Sequence, residues 1–457
     1  MRAWDAERIA RAAGARLISP PPSAQGPERV SIDSRDIDPG TLFVGLPGER
    51  VDGGRFAPQA LAAGAWGVLT APEHADAARC AQPGVLLAAE DPLQALQRLA
   101  SAWRHELGAQ VIGVTGSAGK TSTKELLLAV LAPHRSTVAS RANFNTEIGL
   151  PLEILAAPAG TEVLVLEMAM RGAGQIAELA AIARPDVAVI VNVGPVHLEL
   201  LGTIEAIAAA KAELIAALEP GGAAVVPARE PLLAPHLRKD IDVLTFGPGG
   251  DVLLRDAQGD HVTIELRGDR VELEVPFTQA HLRTNLLAAV AAASAVGVGA
   301  SGRIEFGPTA GRGAQTRLAG GVTLIDDCYN ANPMSTRAAL EDLGVTADRL
   351  GSRRRVAVLG DMLELGPGEH DFHVKVGELA ARAGVDVLVT VGPLAASMGD
   401  RFEGELHRLA DAAQAAALVP ELLAPADLVL VKGSRGVGLE LVCHALAASE
   451  REPSEAR

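Results

Sequence analysis

The stretch Val111-Ile-Gly-Val-Thr-Gly-Ser-Ala-Gly-Lys-Thr-Ser-Thr-Lys-Glu125 decides how the rest of the chain is read. The β-branched run Val111, Ile112, Val114 and Thr115 predicts a buried strand. Gly116 and Gly119 then turn the chain, and Thr121 to Leu131 predicts a helix. Glycines at such a turn let backbone N–H groups crowd around phosphate oxygens. The helix N-terminus adds positive potential, Lys120 a point charge, and Thr121 a hydroxyl for Mg²⁺. The usual phosphate-loop spacing would need Gly at Val114, so this is a shorter G-x-x-G-K-T loop. It predicts nucleotide phosphate binding by Gly116, Ser117, Ala118, Gly119, Lys120, Thr121 and Ser122.

On both sides of the loop the pattern alternates strand and helix, which predicts an α/β protein with doubly wound, mostly parallel sheets. At 457 residues and 48% hydrophobic content, about two to four domains are expected. Upstream, Asp91-Pro92 caps a helix whose Leu93, Leu96, Leu99, Trp103 and Leu107 share one face. It closes a first unit, 1–107, built on short strand patterns around Val30–Arg35 and Leu42–Gly53. Downstream, Val163–Leu166 and Val187–Val193 predict two further strands of a central unit, 108–316. Ligand groups in such sheets sit beyond the carboxyl ends of strands. Glu167 and His197 fall there, and Glu167 can reach a Mg²⁺ held by Thr121. Histidine is an uncommon Mg²⁺ ligand, so His197 taken alone reads equally well as a hydrogen-bonding residue.

Other candidates have weaker local signals. Lys211 in the alanine-rich helix Ile204–Leu218 reads by itself as an exposed lysine. Ser34-Arg35 could hold an anionic ligand, but an Arg between Asp33 and Asp36 reads more readily as a solvated ion pair. His281 and Asn285 lie four residues apart on one helical face, suited to edging an adenine ring or to structural roles. Val262–Val275 predicts an antiparallel appendage. Gly311–Arg317 looks like a connection carrying two positive charges into a third, Rossmann-like unit, 317–457. That unit's strand ends carry Asp326, Asp327, Tyr329, Asn330, Asn332, Asp361, Glu364, Lys432 and Arg435, which predicts a ligand face.

Composition narrows the classes. Net charge −15 and 3% aromatic content argue against a nucleic-acid binder, so anionic ligands must be met by local clusters. Cys80, Cys328 and Cys443 have no metal-ligand spacing and fit a reducing compartment. The charged opening Met-Arg-Ala-Trp-Asp-Ala-Glu-Arg and the lack of a long apolar run predict a cytoplasmic protein without a membrane span. The tail Ser449–Arg457 is expected to be frayed.

With these residues together, the chain resembles the Mur ligase family along essentially its whole length. The carriers are Asp33-Ser-Arg35, Leu42–Gly53, the short G-x-x-G-K-T loop, Asn143-Phe-Asn-Thr-Glu-Ile-Gly-Leu-Pro151, Leu166-Glu-Met168 and Asn192-Val-Gly-Pro-Val-His197. Asp326-Asp-Cys-Tyr-Asn-Ala-Asn-Pro333, Gly360-Asp-Met-Leu-Glu-Leu-Gly366 and Lys432-Gly-Ser434 resemble the branch that adds D-alanyl-D-alanine. Gly54 stands where the family pattern has a histidine, and Leu282 where an Asn is often seen.

The resemblance implies a small α/β uridine-nucleotide-binding domain, a central ATPase domain and a C-terminal Rossmann-like domain. It implies ATP and Mg²⁺, with UDP-N-acetylmuramoyl-tripeptide and D-alanyl-D-alanine as substrates of a monomeric peptide ligase working through an acyl phosphate. By residue, it implies catalytic roles for Lys120, Lys211, His197, Arg312 and Asp327. His281, Asn285, Arg312 and Asp327 would join the loop in binding ATP. Thr121, Glu167, His197 and a carbamylated Lys211 would hold metal. Ser34, Arg35, Asn143, Asn145 and Thr146 would meet the uridine substrate, and Tyr329, Asn330 and Asn332 the dipeptide. Two rivals are a regulatory GTPase, which should carry an N-K-x-D motif absent here, and a related ligase such as the dipeptide-acceptor sibling or a folylpolyglutamate synthase. The Asp-Asn-Pro-Arg motif of the diaminopimelate-adding sibling is also absent.

Overall fold

The computed structural model describes residues 1, 3–19, 25–79, 83–141, 143–307 and 309–448. Cys80 and the tail 449–457 lie outside them. Three sheets follow one another along the chain. The first contains β1 (Arg16–Ser19), β2 (Arg29–Ser31), β3 (Thr41–Val44), β4 (Gly67–Thr70) and β5 (Val85–Ala88), in the order β1-β5-β4-β3-β2. Only β1 runs antiparallel to its neighbour. The helix Pro92–Leu107, capped by Asp91 as its sequence predicts, leads into the central sheet.

That sheet has ten strands: β6 (Gln110–Thr115), β7 (Thr137–Ala139), β8 (Val163–Glu167), β9 (Val187–Ile190), β10 (Ala223–Pro227), β11 (Asp242–Phe246), β12 (Val252–Gln258), β13 (His261–Leu266), β14 (Asp269–Glu274) and β15 (Gly302–Arg303). Strand β6 lies between β8 and β9, parallel to both, so chain direction across the sheet reverses beside it. This is the position at which open α/β sheets form a ligand crevice. Strands β12 to β14 form the expected antiparallel extension. Strand β9 stops at Ile190 rather than at Val193, because the next residues bend over the phosphate loop.

The third sheet comprises β16 (Ala314–Arg317), β17 (Thr323–Asp326), β18 (Arg355–Gly360), β19 (Val387–Val391), β20 (Glu405–Leu409) and β21 (Leu428–Lys432), in the order β16-β17-β21-β18-β19-β20. All its pairs are parallel except β16–β17. The expected division at 316/317 therefore falls inside a strand. Ala314 pairs with Asp326 and Arg317 with Thr323, so most of the supposed connection is hydrogen-bonded into the third sheet. Among the described residues no helix is long and apolar enough to cross a membrane.

The second and third units touch directly. Gly194 has no side chain, and a Cβ there would stand 1.7 Å from the Sδ of Met334. The Asn332 amide donates to the Ser117 carbonyl at 3.3 Å. Between the units runs a cleft of about 1500 Å³.

Candidate active site

The phosphate loop is held by the start of the segment Asn192–His197, to whose asparagine the local pattern gave no role. Asn192 Oδ1 accepts from Ser117 N at 3.0 Å and Ala118 N at 2.9 Å, while its Nδ2 donates to Ala118 O at 3.0 Å. The Ser117 hydroxyl donates to Gly194 O and accepts from Gly194 N. Gly119 has φ of 77°, and a Cβ there would lie 2.9 Å from Asn285 Oδ1. Glycine is required on both counts. Lys120 folds back so that Nζ donates to Gly116 O at 2.8 Å. Burial lowers its pKa; Glu167 opposes that and Arg312 adds to it.

Beyond β8, Glu167 is buried between two donors: Thr121 Oγ1 reaches Oε2 and Asn145 Nδ2 reaches Oε1, each at 2.8 Å. A hydroxyl and a carboxylate converging on the start of the loop helix fit a hard divalent cation beside a triphosphate. Asn145, expected on the uridine substrate, spends its amide on this carboxylate. Asn143 and Thr146 line the same cleft.

Lys211 is not the exposed lysine of its local pattern. It is 2% exposed, and burial together with the charge of Lys120 drives its pKa well below the ordinary lysine range. Among the described residues no carboxylate pairs with it. His197 opens the turn after β9 with φ of 53°, and its Nδ1 contacts the Glu364 carboxylate of the third unit. Burial lowers the imidazole pKa; Glu364 opposes this, while Lys120 and Lys211 add to it. An ionised carboxylate can only accept, so the ring meets it with Nδ1–H as donor.

Across the cleft, Lys432 is buried at the end of β21 and donates to Asp327 Oδ2 at 2.6 Å and Asn330 O at 3.0 Å. Burial raises the Asp327 pKa and Lys432 opposes it. The Tyr329 ring is flanked by two guanidiniums, Arg312 at 4.1 Å and Arg435 at 5.2 Å. Arg435 also donates to the Tyr329 hydroxyl at 3.3 Å.

The matches to known families cover these same segments. Residues 28–104 match the model of the Mur ligase family catalytic domain, 114–293 that of the Mur ligase middle domain, and 311–435 that of the Mur ligase glutamate ligase domain. UDP-N-acetylmuramoyl-tripeptide–D-alanyl-D-alanine ligase of Bacillus subtilis is 36% identical, over 92% of this chain and 93% of that protein. The chain belongs to the Mur ligase family. The Escherichia coli ligase of the same name is 32% identical, over 92% and 93%. Among solved structures, MurF from Acinetobacter baumannii superposes with a TM-score of 0.86 at 28% identity, covering 97% of this chain and 99% of that one. MurF from Thermotoga maritima in complex with ADP gives 0.80 at 30%, covering 93% and 98%. As a Mur ligase, the protein is an ATP-dependent ligase with the three-domain α/β architecture its sequence predicts.

Not every expected residue of this Mur ligase faces the cleft. His281 and Asn285 both line it, with Asn285 buried against Gly119. Ser34 and Arg35 do not. Arg35 is fully ion-paired with Asp33 at 2.8 Å and highly exposed, as its local reading predicts. Gly54 has a steric reason: a Cβ there would stand 2.3 Å from the ring of His74, which pairs with Asp52 at 3.0 Å. Asn332 is buried, and its Oδ1 caps the helix Pro333–Leu350 by accepting from Ser335 N at 2.9 Å. Its side chain is thus committed to the cap and to Ser117, leaving half-buried Tyr329 and exposed Asn330 as cleft-lining members of its segment.

Two of the three cysteines, Cys328 and Cys443, come together. Cys443 donates to Asp326 Oδ1 at 3.4 Å, and Cys328 lies beside it. The hydrogen bond with Cys328, burial and the Asp326 carboxylate push the Cys443 thiol well above its ordinary range. It is a protonated donor bracing the start of the Asp327–Asn330 segment. Asn192 and Arg171 are functional candidates that local patterns did not assign, whereas Glu364, Lys432 and Arg435 belong to the predicted ligand face of the third unit.

Proposed function

We propose that this ligase joins D-alanyl-D-alanine to the terminal carboxylate of UDP-N-acetylmuramoyl-tripeptide. Support comes from one arrangement: the phosphate loop, Glu167 and His197 face Asp327, Tyr329, Lys432 and Arg435 across a single cleft, with Lys211 buried outside its lining. The relatives that carry this activity in their names align over more than nine-tenths of the chain.

A carboxylate is a poor acyl donor, so its oxygen first attacks the γ-phosphorus of ATP and ADP leaves. The dipeptide amine then attacks the acyl phosphate carbonyl, and phosphate departs as the amide forms. Lys120 and Arg312 neutralise charge on the transferring phosphoryl group. The docked third unit excludes water from the acyl phosphate and holds the amine in line. Arg435 and Tyr329 offer a cation and a ring edge for the dipeptide's carboxylate end. Thr121 and Glu167 would hold one Mg²⁺ and His197 with Lys211 a second, and Mg²⁺ supplies charge neutralisation for the triphosphate when bound.

In this reading Lys211 is a carbamate. Its neutral amine adds to CO₂, the N–C bond forms, one proton leaves, and the product is an anion with two oxygens suited to a hard cation. A domain boundary near 107, a second one that leaves β16 with the third unit, and a cytoplasmic monomer belong to the same proposal. The direct test is ADP release, expected only with ATP, Mg²⁺, the tripeptide acceptor and D-alanyl-D-alanine together. Lys120→Ala should lower kcat by about 10³-fold, because that charge acts chiefly in the transition state. Full turnover without the dipeptide would overturn the assignment.

A further inference from the structure

We propose that Glu364 is a positioning residue that carries the docked state of the third unit to His197, fixing which imidazole nitrogen faces the cleft. The proposal rests on the reading of the cleft as a ligase site with His197 at its reacting end. Glu364 follows β18 in the segment Gly360-Asp-Met-Leu-Glu-Leu-Gly366, and three groups of the central unit converge on it. His197 Nδ1 meets one carboxylate oxygen, Arg171 Nε stands 3.8 Å from the other, and Glu199 N donates to the Glu364 carbonyl at 3.3 Å. Side chain and main chain of one residue are therefore both received by the neighbouring unit.

The backbone is shaped for this contact from both sides. His197 has φ of 53° and Glu364 φ of 64°, a left-handed conformation uncommon for residues with side chains. These two residues touch each other across the domain boundary. Gly366, at φ of 66°, lets the segment settle on Glu199: a Cβ there would stand 3.2 Å from Glu199 N and Cα.

A neutral imidazole has two tautomers, and whichever nitrogen bears the proton cannot accept or ligate. Among the described residues Glu364 is the one hydrogen-bonding partner of the His197 ring. A carboxylate on Nδ1 selects the Nδ1–H tautomer and leaves the Nε2 lone pair free, the arrangement in which an outer carboxylate orients a ligating histidine. Because that carboxylate belongs to the other unit, His197 is set only when the units are docked. A plain interdomain ion pair is the competing account. It would tolerate removal of the carboxylate and leave the ring's tautomer where it was.

The test uses the full-length enzyme without nucleotide, labelled with ¹⁵N in its histidine rings, with His197→Gln identifying the resonance. Wild type should show His197 as a single Nδ1–H tautomer. Glu364→Ala should give a mixture, and Glu364→Gln, whose amide oxygen still accepts from Nδ1, should keep the wild-type form. In ADP release, Glu364→Ala should lose about 10- to 100-fold in kcat with little change in KM for ATP, and Glu364→Gln should recover most of it. An unchanged tautomer in Glu364→Ala, or equal losses in both variants, overturns the proposal. The expected tautomer shift in an enzyme whose wild type releases no ADP in response to the dipeptide would sustain the positioning role and sink the ligase reading instead.

Discussion

Asn332 of the third unit donates its side-chain amide to the carbonyl of Ser117 in the phosphate loop, 215 positions earlier in the chain, at 3.3 Å. The same side chain caps a helix through Oδ1. These two uses are separable. Asn332→Asp keeps the cap acceptor and loses the donor, whereas Asn332→Ala loses both. The alanine variant should lose about 1 kcal/mol of stability through the cap, and the aspartate variant much less. Both should raise KM for ATP, the aspartate more, because it brings negative charge to a loop that binds triphosphate. Thermal melts and ADP-release kinetics on the pair check this; equal melting losses in the two would refute the cap assignment.

Gly119 and Asn285 form the next prediction. Gly119→Ala places a Cβ at a left-handed φ and 2.9 Å from Asn285 Oδ1. The strain and the contact together should cost about 2 kcal/mol and abolish nucleotide binding. Adding Asn285→Ala relieves the contact but not the backbone strain, so the double variant should regain only part of the stability. Nucleotide titration by calorimetry, beside thermal melts, reads both effects. Tight nucleotide binding by Gly119→Ala would show that the loop's geometry is not what holds phosphate.

The phosphate loop was legible because everything that makes it is local: a buried strand, two glycines and a helix that begins with Lys-Thr. Asn192 was not. Its three bonds to the loop span 74 or 75 positions, and its β-rich surroundings read as more strand. Lys211 shows the opposite failure. The helix Ile204–Ala216 turns Glu205, Ala209 and Ala216 to solvent and buries Ile207, Ala208, Ala210, Lys211, Ala212, Leu214 and Ile215, so the lysine stands on its core side. Alanine-rich periodicity hides that, and only the family resemblance pointed to the residue. Strand β16 was taken for a linker because four residues after Gly311-Arg-Gly carry no alternation. Its pairing with β17 exists only once the third sheet has formed.

Asp342 gives a prediction in pH. It lies in the helix Pro333–Leu350 on the cleft wall; burial raises its pKa from 3.8 to about 6, with hydrogen bonds from Gln279 and Thr346 among the opposing influences. The folded state therefore holds a proton more tightly than the unfolded chain. Its contribution is fully present below about pH 4 and is lost as pH rises through about 6. Relative to Asp342→Asn, wild type should lose on the order of 2 kcal/mol across that window and change little above pH 7. Paired thermal melts from pH 4.5 to 8 read the difference. A stability gap that widens in wild type's favour with rising pH would contradict the sign.

Lys211 separates the carbamate from a plain buried amine. An amine that is 2% exposed, near Lys120 and without a carboxylate partner among the described residues, is pushed toward its neutral form, the form that adds CO₂. Lys211→Ala removes the anion and leaves a space the size of its side chain. Nucleotide binding, which rests on the phosphate loop, should be retained within a few fold. ADP release should fall by about 10³-fold, the scale on which a charge partner of the transferring phosphoryl group acts. Short carboxylates such as acetate or propionate should restore part of the rate in Lys211→Ala but not in Lys120→Ala, where the missing charge is positive. Bicarbonate should raise wild-type activity after CO₂ has been stripped from the buffer, and mass spectrometry under native conditions should show the added 44 Da expected for CO₂ on a lysine. Undiminished turnover by Lys211→Ala, or a loss that no carboxylate repairs together with indifference of the wild type to CO₂, would leave Lys211 as an unmodified buried amine.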